Sequence, residues 1–167
     1  MHTLYVGLGS NLGDRAAYLA RARTYLRLSL GPPTALSGIY RTAAWGVTEQ
    51  PDFFNQVAAY RSRRPPLDVL RLLLKIELAA GRVRERRWGS RTLDLDLLAY
   101  GPHRSSTGVL TLPHPRIAER NFVLAPLAEI APELLLPGRS RTVAALYAAS
   151  PDRLAVVRLP DTIDPAP

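Results

Sequence analysis

The stretch "RTLDLDLLAYG", residues 91–101, alternates charged and apolar side chains and predicts a β-strand. Successive side chains of a strand point to opposite faces, so the three leucines at odd-numbered positions are expected on one face and Asp94 and Asp96 on the other. At a rise of roughly 3.3 Å per residue, the two carboxylates leave the backbone about 6.6 Å apart. Two negative charges at that distance repel by about 2.5 kcal/mol at an effective dielectric near 20. The pair therefore needs nearby cations, or the solvated face of an edge strand.

The segments on either side of this strand predict an alternation of strands and helices. Apolar periodicity and the positions of glycine and proline indicate the bounds of each segment. The predicted elements are a strand over 3–11, a helix over 14–30, strands over 34–42 and 53–62, a helix from Pro65-Pro66 to Gly81, the aspartate strand, and a last helix over 142–149. The first six follow the order βαββαβ and predict an α+β, ferredoxin-like core, followed by short C-terminal strands and helices. We expect one domain over 1–160 and a frayed tail over 161–167.

The glycines of "GLGSNLG", residues 7–13, raise the question of a nucleotide-binding loop. Their spacing is GxGxxxG, and no acidic residue ends a second strand where a dinucleotide fold needs one. We interpret the segment as a turn with Ser10 or Asn11 as the helix cap, with a dinucleotide site as the second choice. A P-loop is excluded because Lys75, the only lysine, lies within a predicted helix.

The composition limits the classes of function. The chain has 167 residues, a formal net charge of +8, a pI near 10.6 and no cysteine. Disulfides and thiol chemistry are therefore excluded, and the arginine-rich surface favours a polyanionic partner, either a nucleotide or a nucleic acid. No apolar segment approaches the roughly 18 residues of a membrane span, and no signal peptide is expected. The sequence predicts a cytoplasmic protein.

The loop before the aspartate strand supplies cations for the carboxylate pair. Glu77 lies near the end of the preceding helix, and the following segment contains Arg82, Arg84, Arg86, Arg87 and Arg91. Aspartates are hard oxygen ligands suited to Mg²⁺, which keeps other positions for water and substrate phosphate. Two carboxylates on one strand can hold two Mg²⁺ against a triphosphate, with arginines on the remaining oxygens. The segment thus predicts a phosphate-handling metal site.

Two further positions are candidates for binding. His114 is flanked by prolines and followed by Arg116 and Arg120, which indicates a phosphate contact. Asn55 lies on a predicted strand, where asparagine is disfavoured, and its amide can both donate to and accept from the edge of a heterocycle.

Several motifs together resemble one enzyme family. They are "GLGSNLGDR" (7–15), "YRTAAWG" (40–46), "QPDFFN" (50–55), "ELAAGRVRERRWGSRTLDLDLLAYG" (77–101) and "LPHPRIAERNFVLAPLAEIAP" (112–132). The chain resembles 6-hydroxymethyl-7,8-dihydropterin pyrophosphokinases of folate biosynthesis over roughly residues 4–137. The resemblance implies Mg²⁺-dependent transfer of pyrophosphate from ATP to the pterin hydroxymethyl group, with AMP as the second product, on an α+β fold with a ferredoxin-like core. It implies small-molecule substrates and a monomer, without nucleic acid or membrane as partner.

The resemblance also implies roles for individual positions. Catalytic roles fall on Arg82, Arg91, Asp94 and Asp96, and the two aspartates would hold two Mg²⁺. The ATP site would comprise Leu70, Glu77, Arg82, Arg84, Arg91, Leu97, Thr111, His114 and Arg120. The pterin site would comprise Thr42, Ala44, Trp45, Phe53, Asn55, Trp88 and Phe122.

Two other functions remain open at the level of sequence. A basic ferredoxin-like domain can bind RNA, although no strand carries the aromatic pattern of such modules and two aspartates in the basic site would repel RNA. A two-metal phosphohydrolase can use the same aspartates and would release phosphate from ATP without pterin.

Overall fold

The computed structural model describes residues 1–43, 51–82 and 92–163. The strands are β1 (His2–Ser10), β2 (Ala35–Leu36), β3 (Tyr40–Thr42), β4 (Phe53–Ser62), β5 (Asp94–Tyr100), β6 (Ser105–Ser106), β7 (Thr111–Leu112) and β8 (Val156–Arg158). The helices are α1 (Arg15–Leu30), α2 (Pro66–Ala79), α3 (Asn121–Ile130) and α4 (Val143–Ala148), with single 3₁₀ turns at Ile117–Glu119 and Asp161–Ile163. Across these ranges no helix is long and apolar enough to span a membrane.

The main sheet is antiparallel and has the strand order β5-β1-β4-β3-β8, with β2 also paired to β4. The predicted second strand over 34–42 is present as two short pieces, β2 and β3. β6 and β7 form a separate two-stranded ribbon. The described part of the chain is thus a mixed α/β fold built on an antiparallel sheet. β8 agrees with the short C-terminal strands predicted without bounds, whereas its pairing with β3 in the main sheet was not predicted.

Each face of the sheet packs against its own layer of helices. One face forms the main core with α1 and α2, where Leu19 and Leu73 pack against the sheet. The opposite face forms a second core, where α3 and α4 contribute Leu124 and Val143. The C-terminal part, for which the sequence predicts only short elements, therefore covers part of the second sheet face.

The alternation predicted for β5 is confirmed at its start. Leu93, Leu95 and Leu97 are buried in the main core, while Asp94 and Asp96 remain partly exposed. The pairing of β1 with β5 then shifts by one residue, and Leu98 and Ala99 both belong to the second core. On the face of β5 that carries the aspartates, the side chains are therefore polar before this irregularity and apolar after it.

The glycine motif at the end of β1 differs from the sequence prediction. β1 continues to Ser10, so Gly7 and Gly9 are strand residues and do not form the turn. The cap of α1 is Asp14, whose carboxylate accepts the Ala17 N–H at 3.0 Å, so the prediction of Ser10 or Asn11 as cap is wrong. The physical reason is that pairing with β4 keeps the chain in the strand through Ser10, so α1 begins only at Arg15 and its cap falls on Asp14.

A polar contact fastens α3 to the sheet. The Glu129 carboxylate accepts the Tyr40 hydroxyl at 2.9 Å and the Gly38 N–H at 3.1 Å, and it pairs with Arg158. Burial, followed by the hydrogen bond to Glu129, raises the pKa of Tyr40 to about 12. Because Glu129 joins β3, β8 and α3, it also fixes the helix that begins at Asn121.

Candidate active site

One arginine joins Glu77, near the end of α2, to Asp94, at the start of β5. The Glu77 side chain is 3 % exposed, and one of its oxygens accepts the Leu95 N–H at 2.7 Å. Its other oxygen pairs with Arg82 Nη1, and Arg82 Nη2 lies 3.0 Å from Asp94 Oδ1. Arg82 is 7 % exposed and Asp94 24 %, so the guanidinium bridges a buried carboxylate and a partly open one.

The charges of this cluster act on one another. Burial raises the pKa of Glu77, and Asp94 acts in the same direction. The Leu95 N–H and the charge of Arg82 oppose that rise. Two buried polar atoms nearby in the chain, Arg82 Nε and Thr92 Oγ1, have no hydrogen-bond partner among the described residues. Buried polar atoms are normally satisfied, so these two are exceptions within the described part of the chain.

A second group of basic residues approaches the aspartates from the segment after β7. Burial lowers the pKa of Arg120, while Asp96 and Asp94 raise it. Burial, with the charges of Arg120 and Arg116, lowers the pKa of His114 to about 4. His114 Nδ1 accepts the Arg116 N–H at 3.3 Å, which leaves the proton of the neutral ring on Nε2. His114 is therefore a neutral donor at pH 7, with the charge supplied by the arginines.

The predicted heterocycle site lies on the same sheet face as the aspartates. Asn55 Nδ2 donates to Thr42 Oγ1 at 2.9 Å, and both side chains are buried. Phe53 lies two residues before Asn55 on β4 and therefore shares its face. Phe122, in the first turn of α3, packs against the second core and lies under Arg120, whose guanidinium carbon is 5.5 Å from the ring centre.

Some predicted site residues lie elsewhere or outside the described residues. Leu97 is buried in the main core on the face away from the aspartates, so only its backbone could contact a ligand beside them. Leu70 is half-buried two turns before Glu77 on α2, and Thr111 is exposed on β7. The remaining predictions, which fall outside the described ranges, are Ala44, Trp45, Arg84, Trp88 and Arg91.

Gly9 was not predicted as part of this site, although it lies between its two halves. Gly9 pairs with Asn55 on one side and with Asp94 on the other. The signal was available, because two glycines at i and i+2 of a strand clear one face.

A carboxylate pair among arginines, on the same sheet face as a polar heterocycle site, is typical of enzymes that transfer phosphoryl groups. Comparisons with known proteins identify the family of such enzymes that this chain resembles. The sequence model of the family described as 7,8-dihydro-6-hydroxymethylpterin-pyrophosphokinase (HPPK) matches residues 5–132. The chain belongs to this family, whose members are ATP-dependent transferases of folate biosynthesis.

Individual relatives agree with that assignment. The chain is 48 % identical over 141 residues to the 2-amino-4-hydroxy-6-hydroxymethyldihydropteridine pyrophosphokinase of Methylorubrum extorquens, covering 84 % of this chain and 89 % of the relative. The enzyme of the same name from Pseudomonas aeruginosa is 43 % identical over 158 residues, covering 94 % and 96 %.

A likeness among solved structures supports the fold. The crystal structure of wild-type Plasmodium falciparum HPPK-DHPS superposes with a TM-score of 0.69 at 13 % identity, covering 88 % of this chain. This chain spans 44 % of that longer protein.

Proposed function

We propose that the protein transfers the terminal diphosphate of ATP to the hydroxymethyl oxygen of 6-hydroxymethyl-7,8-dihydropterin in a Mg²⁺-dependent reaction. One observation carries the proposal. Two groups of side chains share one sheet face and lie on either side of β1. One is the pair Asp94 and Asp96, with Arg82 and Arg120 beside it, and the other is Asn55 with Thr42. A phosphate-handling cluster and a heterocycle site in adjacent positions suit a transfer between a nucleotide and a ring-bearing alcohol.

The donor set fits Mg²⁺. Within the described residues there is no group of three or more His, Cys, Asp or Glu side chains suited to a metal. Mg²⁺ in nucleotide sites is commonly held by one or two carboxylates, with the rest of its shell from water and phosphate. Asp94 and Asp96 would hold it, as two ions in our proposal, and the metal would neutralise phosphate charge and acidify the hydroxymethyl group.

The residues around the aspartates would bind ATP. Arg82 and Arg120 are guanidinium donors for phosphate oxygens, and neutral His114 offers its Nε2–H. Arg91 and Arg84, which lie outside the described ranges, would add to them. Leu70, Thr111 and the backbone of Leu97 would lie toward the nucleoside, and Glu77 would hold Arg82 in place.

The pterin would lie against the opposite side of the site. Asn55, oriented by Thr42, would read the polar edge of the ring, and Phe53 and Phe122 would contact its faces. Ala44, Trp45 and Trp88 complete the pterin site in the proposal.

The reaction needs positioning and charge stabilisation more than a dedicated base. The hydroxymethyl oxygen forms a bond to the β-phosphorus of ATP, the bond from that phosphorus to the α,β-bridging oxygen breaks, and AMP leaves. The hydroxyl proton passes to solvent. Buried arginines stabilise the charge that builds up on the phosphate oxygens.

The same proposal covers the finer architecture. We propose a ferredoxin-like core, which the order β5-β1-β4-β3 and the crossovers through α1 and α2 support. We further propose a single domain over 1–160 that acts as a monomer in the cytoplasm on small molecules alone.

The test is to incubate the purified protein with ATP, Mg²⁺ and 6-hydroxymethyl-7,8-dihydropterin and to separate the nucleotides by chromatography. AMP is expected only when all three are present. ADP and phosphate in the absence of pterin would instead indicate a phosphohydrolase. No turnover, together with tight binding of RNA, would indicate a basic binding domain.

A further inference from the structure

The helix α3 begins between two residues of the proposed substrate sites. Arg120, whose pKa is raised by Asp96 and Asp94, immediately precedes the helix, and Phe122 is the second helical residue. The peptide group that joins Arg120 to Asn121 lies between these two side chains and affects the direction of both. A contact that holds this peptide group therefore acts on a guanidinium for phosphate and on an aromatic ring for the pterin.

The start of α3 has no cap from its own residues. Arg120 is the N-cap residue, and its side chain makes no capping hydrogen bond among the described residues. The first turn of the helix contains no acidic residue. The positive end of a helix disfavours a cation, and Arg120 places one there. Both the free N–H groups and the charge at this end are therefore suited to an anionic partner from elsewhere in the chain.

Asp152, which lies between α4 and β8, is that partner. Its carboxylate Oδ2 accepts the Asn121 N–H at 2.8 Å, and Asn121 Nδ2 donates to the Asp152 carbonyl oxygen at 3.1 Å. A carboxylate at the N-terminus of a helix combines a charge-assisted hydrogen bond with a favourable interaction with the helix dipole. Asp152 thus caps α3 from a segment 31 residues further along the chain.

Contacts within its own segment hold Asp152 in place. Its second carboxylate oxygen, Oδ1, accepts the Leu154 N–H at 3.0 Å, and its backbone N–H donates to Ser150 Oγ at 3.2 Å. Two residues after Leu154 the chain enters β8, which pairs with β3 in the main sheet. Both carboxylate oxygens therefore bind backbone N–H groups, so the influence of Asp152 on the site is indirect.

The hydrogen bond from Asp152 favours one of two conformations at Arg120. Arg120 has extended backbone, with φ −132° and ψ 103°, and it separates α3 from the 3₁₀ turn Ile117–Glu119. If Arg120 were helical, the Asn121 N–H would instead bond to the carbonyl of Ile117, four residues earlier, and the turn and α3 would form one helix. The Asp152 carboxylate competes with that carbonyl for the same N–H. It therefore stabilises the break at Arg120, on which the direction of the guanidinium depends.

We propose that Asp152 is a positioning residue of the transfer reaction. Its carboxylate holds the first peptide group of α3, which directs Arg120 toward the phosphates and Phe122 toward the pterin. The inference rests on the function proposed above, and it gives the segment between α4 and β8 a task in that reaction.

The test compares Asp152→Ala with Thr142→Ala. Thr142 caps α4, where its Oγ1 accepts the Ala145 N–H at 3.2 Å, and α4 carries none of the proposed site residues. Each variant loses one helix cap, so both are expected to unfold about 2–4 °C below wild type. Asp152→Ala should lower kcat/KM for AMP formation about tenfold or more, because a misplacement of about 1 Å can cost roughly 100-fold in rate. Thr142→Ala should leave kcat/KM within twofold.

A conservative variant tests the role of the hydrogen bond. Asp152→Asn keeps an oxygen that can accept the Asn121 N–H, so its kcat/KM is expected within about threefold of wild type. Asp152→Asn as slow as Asp152→Ala would contradict that role. Asp152→Ala within twofold of wild type would overturn the inference. An equal loss in Thr142→Ala, or failure of Asp152→Ala to fold, would overturn it as well, by showing that activity only follows stability.

Binding of MgATP, measured by titration calorimetry, tests whether the effect passes through Arg120. Asp152→Ala should weaken binding about tenfold, the effect of losing one charge-assisted hydrogen bond. With Arg120→Ala already present, the same change should weaken it less than about threefold, and a full tenfold loss would contradict the route through Arg120. If wild type binds no MgATP and forms no AMP, the proposed function fails. If wild type does both and Asp152→Ala matches it, only the Asp152 inference fails.

Discussion

Replacement of Arg82 by methionine removes the cation that contacts both Glu77 and Asp94. Glu77 and Arg82 are almost fully buried, and removing one partner of such a pair leaves the other charge without compensation. Measured costs for this change are about 3–5 kcal/mol in the free energy of unfolding. Glu77 keeps the Leu95 N–H and Asp94 is partly solvated, so we expect the lower end, about 3 kcal/mol, at pH 8.

The cost should depend on pH in a defined direction. Burial already raises the pKa of Glu77 above its ordinary value of 4.5, and loss of the Arg82 charge raises it further. The folded variant then binds more protons than the unfolded chain between pH 4.5 and the raised pKa, so its stability falls as pH increases through that window. The destabilisation relative to wild type is therefore smallest at acidic pH.

Urea unfolding at pH 5 and pH 8 measures both effects. The double variant Arg82→Met/Glu77→Gln should recover most of the lost stability and show a weaker pH dependence, because it removes the buried charge. Arg71→Met, on the helix that carries Glu77, is the control, since Arg71 pairs with Asp68 at 3.1 Å on the exposed surface. It should cost about 1 kcal/mol or less. A cost below about 1 kcal/mol for Arg82→Met, or no recovery with Glu77→Gln, would refute the argument that the pair is buried and coupled.

Three further predictions concern the site. Asp94→Ala or Asp96→Ala should lower turnover by orders of magnitude without loss of the circular dichroism spectrum, and Mn²⁺ binding followed by electron paramagnetic resonance should weaken; wild-type rates would contradict the metal role. Asn55→Ala should raise the KM for pterin about tenfold and leave the KM for ATP unchanged, whereas an equal rise in both would indicate a general disturbance of the site. Burial lowers the folded-state pKa of His114 to about 4, so its contribution to stability is present above pH 6.5 and is lost as pH falls toward 4. His114→Gln should reduce this part of the acid sensitivity in urea unfolding, and an unchanged pH profile would contradict it.

Local patterns were sufficient for much of the fold. The helices α1 and α2 and the strands β1, β4 and β5 follow from apolar periodicity, from Gly31-Pro32-Pro33 and from the prolines before α2. The helix predicted over 142–149 is present as α4, but the layer that it forms with α3 was not predictable in the same way. Prolines interrupt the local signal there, and Val143 and Leu124 become core residues only because the second sheet face needs cover.

Some features of the candidate site likewise follow from the sequence, and others follow only from the fold. The motifs around Asp94, His114 and Asn55 indicate the family from sequence alone, and the strand period places Asp94 and Asp96 together. The contact of Glu77 with both Leu95 and Arg82 was not predictable, because it depends on how the end of α2 meets β5.

The sequence by itself determined the order of the main elements, the shared face of the two aspartates and the family, because these depend on spacing and residue type along the chain. Only the tertiary structure decided that Arg82 bridges two carboxylates and that Gly9 lies between Asn55 and Asp94. These features depend on strand register and on helix packing. Strand register and helix packing are both set by which surfaces become buried between distant parts of the chain. The sequence of a single segment does not contain that information.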